Sequence, residues 1–263
     1  MIGVIAVAFR FSHEVQQGYE YVGRAAAPIR SKVLPVPHYY KELLSKYFRY
    51  YQSLSDSNKR AFEQKMCHFI YSKRFIPRNM NSVPQEMTVF IAATAVQITF
   101  GLPNIYLQHF DKILIYPDDY YSGITKRYHR GEVNPAFGII VLSWHNFMEG
   151  FLHAEDAVNL GLHEMAHALR LENMIRNEEF GFFERATLMK FDAWAQRICY
   201  DLETLNATFF RPYACTDTHE FFSVAVENFF ERSTRFKEEL PELYTILVQL
   251  LRQDPVELNV NVT

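Results

Sequence analysis

Residues 159–173 read NLGLHEMAHALRLEN, and within them His163-Glu164-Met165-Ala166-His167 spells H-E-x-x-H. Four residues of α-helix advance by about 400°, so His163 and His167 would share one face, roughly 40° and one turn apart. Both imidazoles could then reach one zinc ion through ring nitrogens. Glu164 would stand at the edge of that face, able to take a proton from an attacking water and pass it to a leaving amine. The helix is expected to start at Glu155–Asp156, whose acidic side chains favour a helix N-terminus, and to run to about Glu172. Asn159 and Arg170 extend the polar stripe, while Val158, Met165, Ala166 and Leu169 are expected inside. A half-buried helix whose histidines only hydrogen-bond to neighbours carries the same five letters, so the surroundings must decide.

A catalytic zinc needs a third protein ligand and one position left for water. The extended pattern H-E-x-x-H-x-x-G-x-x-H fails, because Arg170 stands in place of the Gly and Asn173 in place of the last His. Glu178, Glu179 and Glu184 follow closely, but FGFFERATL lacks the N-E-x-x-S-D pattern of thermolysin-like enzymes. Farther on, PYACTDTHEFFSVAVENFFER (212–232) reads as a helix with Thr216 or Asp217 at its N-cap and Glu220, Glu227 and Glu231 along one side. Glu220 could equally complete a capping box with Asp217. Glu220 and Glu227 lie about 10 Å apart along such a helix, so only one could bind the same ion. His219 is a further candidate on a different face. Spacing alone leaves the choice open.

The rest of the chain supplies a frame. Residues 1–37 read as a lead-in. The segment 38–103 is expected to be mostly helical, with Ser55 or Ser57 capping a helix in which Phe62, Met66, Phe69 and Ile70 share a face. MTVFIAATAVQITFGL, apolar nearly all round, reads as a buried helix closed at Gly101. KILIY (112–116) and GIIVLSW (138–144) read as strands, with a hairpin or long loop between them. GIIVLSW is a candidate edge strand, of the kind on which zinc peptidases bind substrate backbone by strand addition. After Trp144 the pattern is helical, broken near 175–185 and 206–217. The expected fold class is α+β.

Composition sets limits. A chain of 263 residues with 49% hydrophobic and 22% charged residues suits a soluble globular protein. Its 23 Phe and 16 Tyr predict packing dominated by rings. A net charge of −3 gives no field for nucleic acid. The apolar run Ile2–Phe9 is too short to span a bilayer and has no basic flank before it. Cys67, Cys199 and Cys215 form no disulfide framework, which favours a reducing, cytoplasmic setting.

Together, DAVNLGLHEMAHALRLEN, PYACTDTHEFFSVAVENFFER and KEELPELYTILVQLLRQDP resemble the Mlc titration factor A family of zinc-dependent peptidases. The likeness extends upstream through LLSKYFRYYQSLSDSNKRAFEQKMCHFIYSKRF, the helix ending FGLP, ILIYP and IIVLSW, and covers roughly residues 38–255. It implies a zincin-like fold, similar to the catalytic domain of anthrax lethal factor, formed by residues 38–263 with a helical part (38–103) and a part carrying strands and zinc-site helices (104–263). It implies His163, His167 and Glu220 as ligands of one Zn2+, Glu164 as general base, and Glu227 orienting a histidine or pairing with a cation. Tyr213 matches the family's tyrosine and would donate to the oxyanion. The implied activity is aminopeptidase-like, on peptide substrates. The founding member's partner, the repressor Mlc, suggests an alternative: a regulatory binding protein that sequesters a transcriptional repressor of sugar uptake, with little catalysis.

Overall fold

The computed structural model describes residues 26–102, 104–123, 126–153, 157–176, 181–205 and 209–259. The run Ile2–Phe9, Glu155–Asp156 and Glu178–Glu179 lie outside the described residues. Helices α1 (Ala27–Val33), α2 (His38–Tyr47), α3 (Arg49–Gln52) and α4 (Asp56–Ser72) precede strand β1 (Arg74–Pro77) and helix α5 (Gln85–Thr99). Strands β2 (Lys112–Tyr116), β3 (Tyr120–Ser122), β4 (Arg127–His129), β5 (Gly131–Asn134) and β6 (Ile139–Ser143) follow. The chain then runs through α6 (Trp144–Leu152), α7 (Leu160–Ile175), α8 (Arg185–Leu205), a 3-10 turn (Pro212–Thr216), α9 (Thr218–Glu231), α10 (Ser233–Glu239), α11 (Pro241–Leu251) and α12 (Pro255–Asn259). This is a mostly helical α+β fold.

The sheet has the order β1-β2-β6-β5, with β3 and β4 forming a separate hairpin. Strands β1, β2 and β6 run parallel, and β5 runs antiparallel to β6 with Gly131 opposite Leu142 and Asn134 opposite Ile139. Two expectations change here. Arg74–Pro77 is a strand inside a region read as helical, too short and too half-buried for its period to show. GIIVLSW is no edge strand: β6 is paired on both sides, and the edge beside α7 is β5. Ile113 and Ile115 pair in register with Ile140 and Leu142, and all four are fully buried on one face.

Helix α5 forms the centre of the core, and Val89, Ile91, Ala92, Ala93, Ala95 and Ile98 are wholly buried. Gly101 follows it for a reason other than a left-handed cap. Its φ is not positive, but a Cβ there would collide with the carbonyls of Leu251 and Arg252. The closing R-Q-D-P is explained at the same junction. Gln253 donates to Gln97 O at 2.9 Å and Ile98 O at 3.1 Å, satisfying carbonyls at the end of α5. Asp254 accepts from Val256 N at 3.0 Å and from Tyr244, starting α12. Of the two candidate caps for α4, Ser55 accepts from Asn58 N.

The cysteines overturn an expectation. Cys199 of α8 and Cys215 of the 3-10 turn form a disulfide, and Cys67 is free and buried. No short Cys motif announces this pair, because it arises from the packing of α8 on the turn. The inference of a reducing setting loses its basis. Among the described residues no helix is long and apolar enough to cross a membrane.

Cross-linking across 16 residues limits the unfolded chain. Replacing Cys199 and Cys215 by Ser should therefore lower stability by about 3 kcal/mol. Urea unfolding with and without reductant checks this: the wild type should lose that stability on reduction and the variant should show no response.

Candidate metal centre

Helix α7 begins later than the acidic pair suggests. Asn159 is its N-cap, and its side chain accepts from Leu162 N at 3.0 Å. Met165, Ala166 and Leu169 are fully buried, whereas Val158, before the cap, is 47% exposed and not interior. Arg170 and Asn173, which break the extended histidine pattern, hold the helix to its neighbours. Arg170 Nη2 donates to Asp192 of α8 at 2.7 Å, and Asn173 Oδ1 accepts from Phe182 N and Phe183 N at 2.9 Å each. Between these two residues, Glu172 accepts from Gln108 N at 3.0 Å and His109 N at 3.1 Å.

Helix α9 lies against α7. Asp217 is its N-cap, accepting from His219 N at 2.7 Å and Glu220 N at 3.0 Å. With that cap provided by Asp217, the Glu220 carboxylate turns toward α7. Its Oε2 stands 3.1 Å from His163 Nε2 and its Oε1 3.3 Å from His167 Nε2. The two Nε2 atoms are 3.0 Å apart. One donor atom from each residue falls within 4.8 Å of the others. Other sequence candidates stay apart from this trio. His219 is not among the three residues whose donor atoms converge, and the exposed Glu184 accepts from Thr187 at the start of α8.

Glu227 lies one layer behind. It is 0% exposed, and three groups converge on its carboxylate. Its Oε1 is 2.8 Å from His163 Nδ1 and accepts from Arg211 Nη2 at 2.7 Å, while Oε2 accepts from Asn159 N at 2.8 Å. An ionised carboxylate can only accept, so His163 donates through Nδ1 and presents Nε2 to Glu220 and His167. Asn159 also donates to Glu231 Oε1 at 2.9 Å, and Arg211 Nη1 donates to Ala157 O at 2.8 Å.

Charge follows this geometry. Burial opposes a proton on His163, yet hydrogen bonds with Glu220 and Glu227 outweigh it and raise its pKa from 6.5 to about 10. Burial pushes Glu220 up, but the two histidines outweigh it and hold its carboxyl far below the usual range. For Glu164, burial raises the pKa, with His163 and His167 opposing. Tyr213 is 52% exposed, with its ring 6.2 Å from that of His163. Partial burial and the Glu220 carboxylate raise its phenol pKa, so at neutral pH it is a donor.

The donor set suits a divalent cation. Two imidazole nitrogens and a carboxylate point at one another, and among the described residues the buried Glu220 Oε2 has His163 Nε2 at 3.1 Å but no well-aligned hydrogen bond. Without a cation only a shared proton reconciles these lone pairs. Nitrogen and oxygen donors in this number match zinc with an open position.

Residues 24–252 match the family described as glucose-regulated metallo-peptidase M90. The chain belongs to that family. It is 25% identical over 237 residues to an uncharacterized protein of Synechocystis sp., covering 84% of this chain and 86% of the relative. It is 26% identical over 205 residues to Mlc titration factor A of Escherichia coli, covering 72% of this chain and 77% of the relative. Membership makes this a metallopeptidase-type protein and implies a metal.

Sequence reading passes over Arg211, Gly131 and Tyr120. Arg211 carries no local signal; its role comes from meeting Glu227 across the fold. Gly131 does carry one, an isolated glycine in a strand, which marks a bulge or a close backbone approach. Tyr120 is 6% exposed, stacks on Tyr116, and has the carboxylates of Glu132 and Glu164 as charged neighbours.

Replacing Arg211 by Met would leave the Glu227 carboxylate buried with one donor fewer. A loss of about 1–3 kcal/mol in urea unfolding is expected; an unchanged midpoint would show the pair to be energetically idle.

Proposed function

We propose that this protein is a zinc-dependent peptidase with a zincin-like fold, in which His163, His167 and Glu220 hold one Zn2+ and Glu164 is the general base. The observation that carries this reading is the convergence, within 4.8 Å, of one donor atom from each of two histidines of one helix and from a glutamate remote in sequence. A bound zinc ion would supply Lewis-acid chemistry, making a water nucleophilic near neutral pH and polarising a carbonyl.

The chain's own residues divide the remaining work. Glu227 fixes the ring of His163 through Nδ1, as partners behind a metal-binding histidine commonly do. Glu164, buried and with its pKa raised, takes the proton from the attacking water and delivers it to the leaving amine. Tyr213, protonated and beside Glu220, donates a hydrogen bond to the developing oxyanion. Among the described residues β5 is paired on one side only, and its other edge, beside α7, offers backbone groups to an extended peptide. The substrate class is a peptide, and the cleavage aminopeptidase-like.

A regulatory role is the second reading, favoured by the name of one relative, Mlc titration factor A. It would have this protein sequester a transcriptional repressor. Elemental analysis of the purified protein separates the first reading from a metal-free scaffold, with about one zinc per chain expected. Glu220→Ala should lose the metal while keeping the fold. Glu164→Gln should keep zinc and lose at least ~100-fold in hydrolysis of a chromogenic peptide. Absence of zinc, or full activity of Glu164→Gln, would overturn the peptidase reading. Repressor binding that persists unchanged in Glu164→Gln would leave the regulatory role standing alone.

A further inference from the structure

Gly131 begins strand β5 at the sheet edge, paired with Leu142 of β6. Nothing in its backbone calls for glycine. Among the described residues Gly138 is the glycine with positive φ, and an alanine could occupy an extended strand position such as 131 without strain. The constraint is steric and comes from one side chain. A Cβ on residue 131 would lie 2.6 Å from both Cγ and Cδ of Glu164, and closer still to Oε1. No atom of any other residue is among its three nearest neighbours. The whole outer part of the Glu164 side chain therefore rests on the backbone of β5.

We propose that Gly131 is a positioning residue for Glu164: the missing Cβ creates the slot in which the carboxylate lies. This rests on the reading of Glu164 as general base. Because Cγ is touched as well as the carboxylate, turning the carboxylate alone would not relieve a methyl group at 131. The side chain must swing at its first torsion, moving its oxygens out of reach of a water beside the metal. His163 and His167 would stay in place, since their partners Glu220 and Glu227 belong to α9 and not to β5. Proton-transfer groups lose their effect with displacements of this size, while ligand binding does not depend on them.

Four proteins test the inference: wild type, Gly131→Ala, Glu164→Ala, and the two substitutions together. In zinc-loaded Gly131→Ala, kcat on a chromogenic peptide should fall at least ~30-fold, with KM within about threefold and zinc still near one per chain. Unchanged kcat, or loss of zinc in parallel with activity, would overturn the assignment. A second readout needs no activity. Gly131→Ala should lower the melting temperature by about 2–4 °C when Glu164 is present, and by nothing when residue 164 is Ala and the slot is empty. Equal shifts in both backgrounds would mean that the methyl group meets something else, and would defeat the inference even with an active wild type. Wild type that binds zinc and cleaves no peptide, with the thermal coupling intact, would instead defeat the proposed function and reduce Gly131 to a packing role.

Discussion

One buried carboxylate constrains the centre of this molecule. Glu227 is sealed between α7 and α9, where an ion without partners would cost several kcal/mol. Its three partners come from separate places: the ring of His163 in α7, the backbone of the cap residue Asn159, and the guanidinium of Arg211 ahead of the 3-10 turn. Satisfying them fixes the start of α7, the rotation of α9 and the path of the segment bearing Tyr213. The same interaction keeps a proton on Nδ1 of His163 and turns Nε2 toward Glu220 and His167. Stability and site chemistry thus depend on one contact.

Around this polar centre the packing is aromatic. On α9, Phe221 and Phe222 pack against Phe191, with Phe210 and Phe183 completing the cluster. Large rings tolerate few arrangements, so they set the helix rotation that turns Glu220 and Glu227 toward α7. Asp217 fixes where that helix begins. The Cys199–Cys215 disulfide joins the turn before it to α8. Glu220 is therefore positioned from three directions before any ligand arrives.

The legible parts of the sequence were those with strong local patterns. H-E-x-x-H on a helix, a serine cap at 55 or 57, the buried α5 and the strands β2 and β6 each follow from periodicity or turn chemistry within about fifteen residues. Beginnings and ends were less readable. The acidic pair pointed to an early start for α7, but Asn159, which also bonds to Glu227 and Glu231, marks it. Strand β1 is not legible in the sequence, because its four half-buried residues carry no clear alternation.

Sequence by itself determined that two histidines and a glutamate would lie along one helix, that a second, glutamate-bearing helix would follow, and that the fold would combine many helices with a few strands. These depend on repeats of 3.6 and 2 residues, which are local properties of the backbone. Tertiary structure shows Glu220 meeting the histidines and Glu227 standing behind them, a choice that spacing leaves open and the family resemblance implies. It alone decided that β5 and not β6 is the edge strand beside α7, that two cysteines meet, and that Gly131 makes room for Glu164. Each of these is a contact between segments distant along the chain. Such contacts are set by how the whole core packs, and of them only the isolated glycine in a strand leaves a local trace.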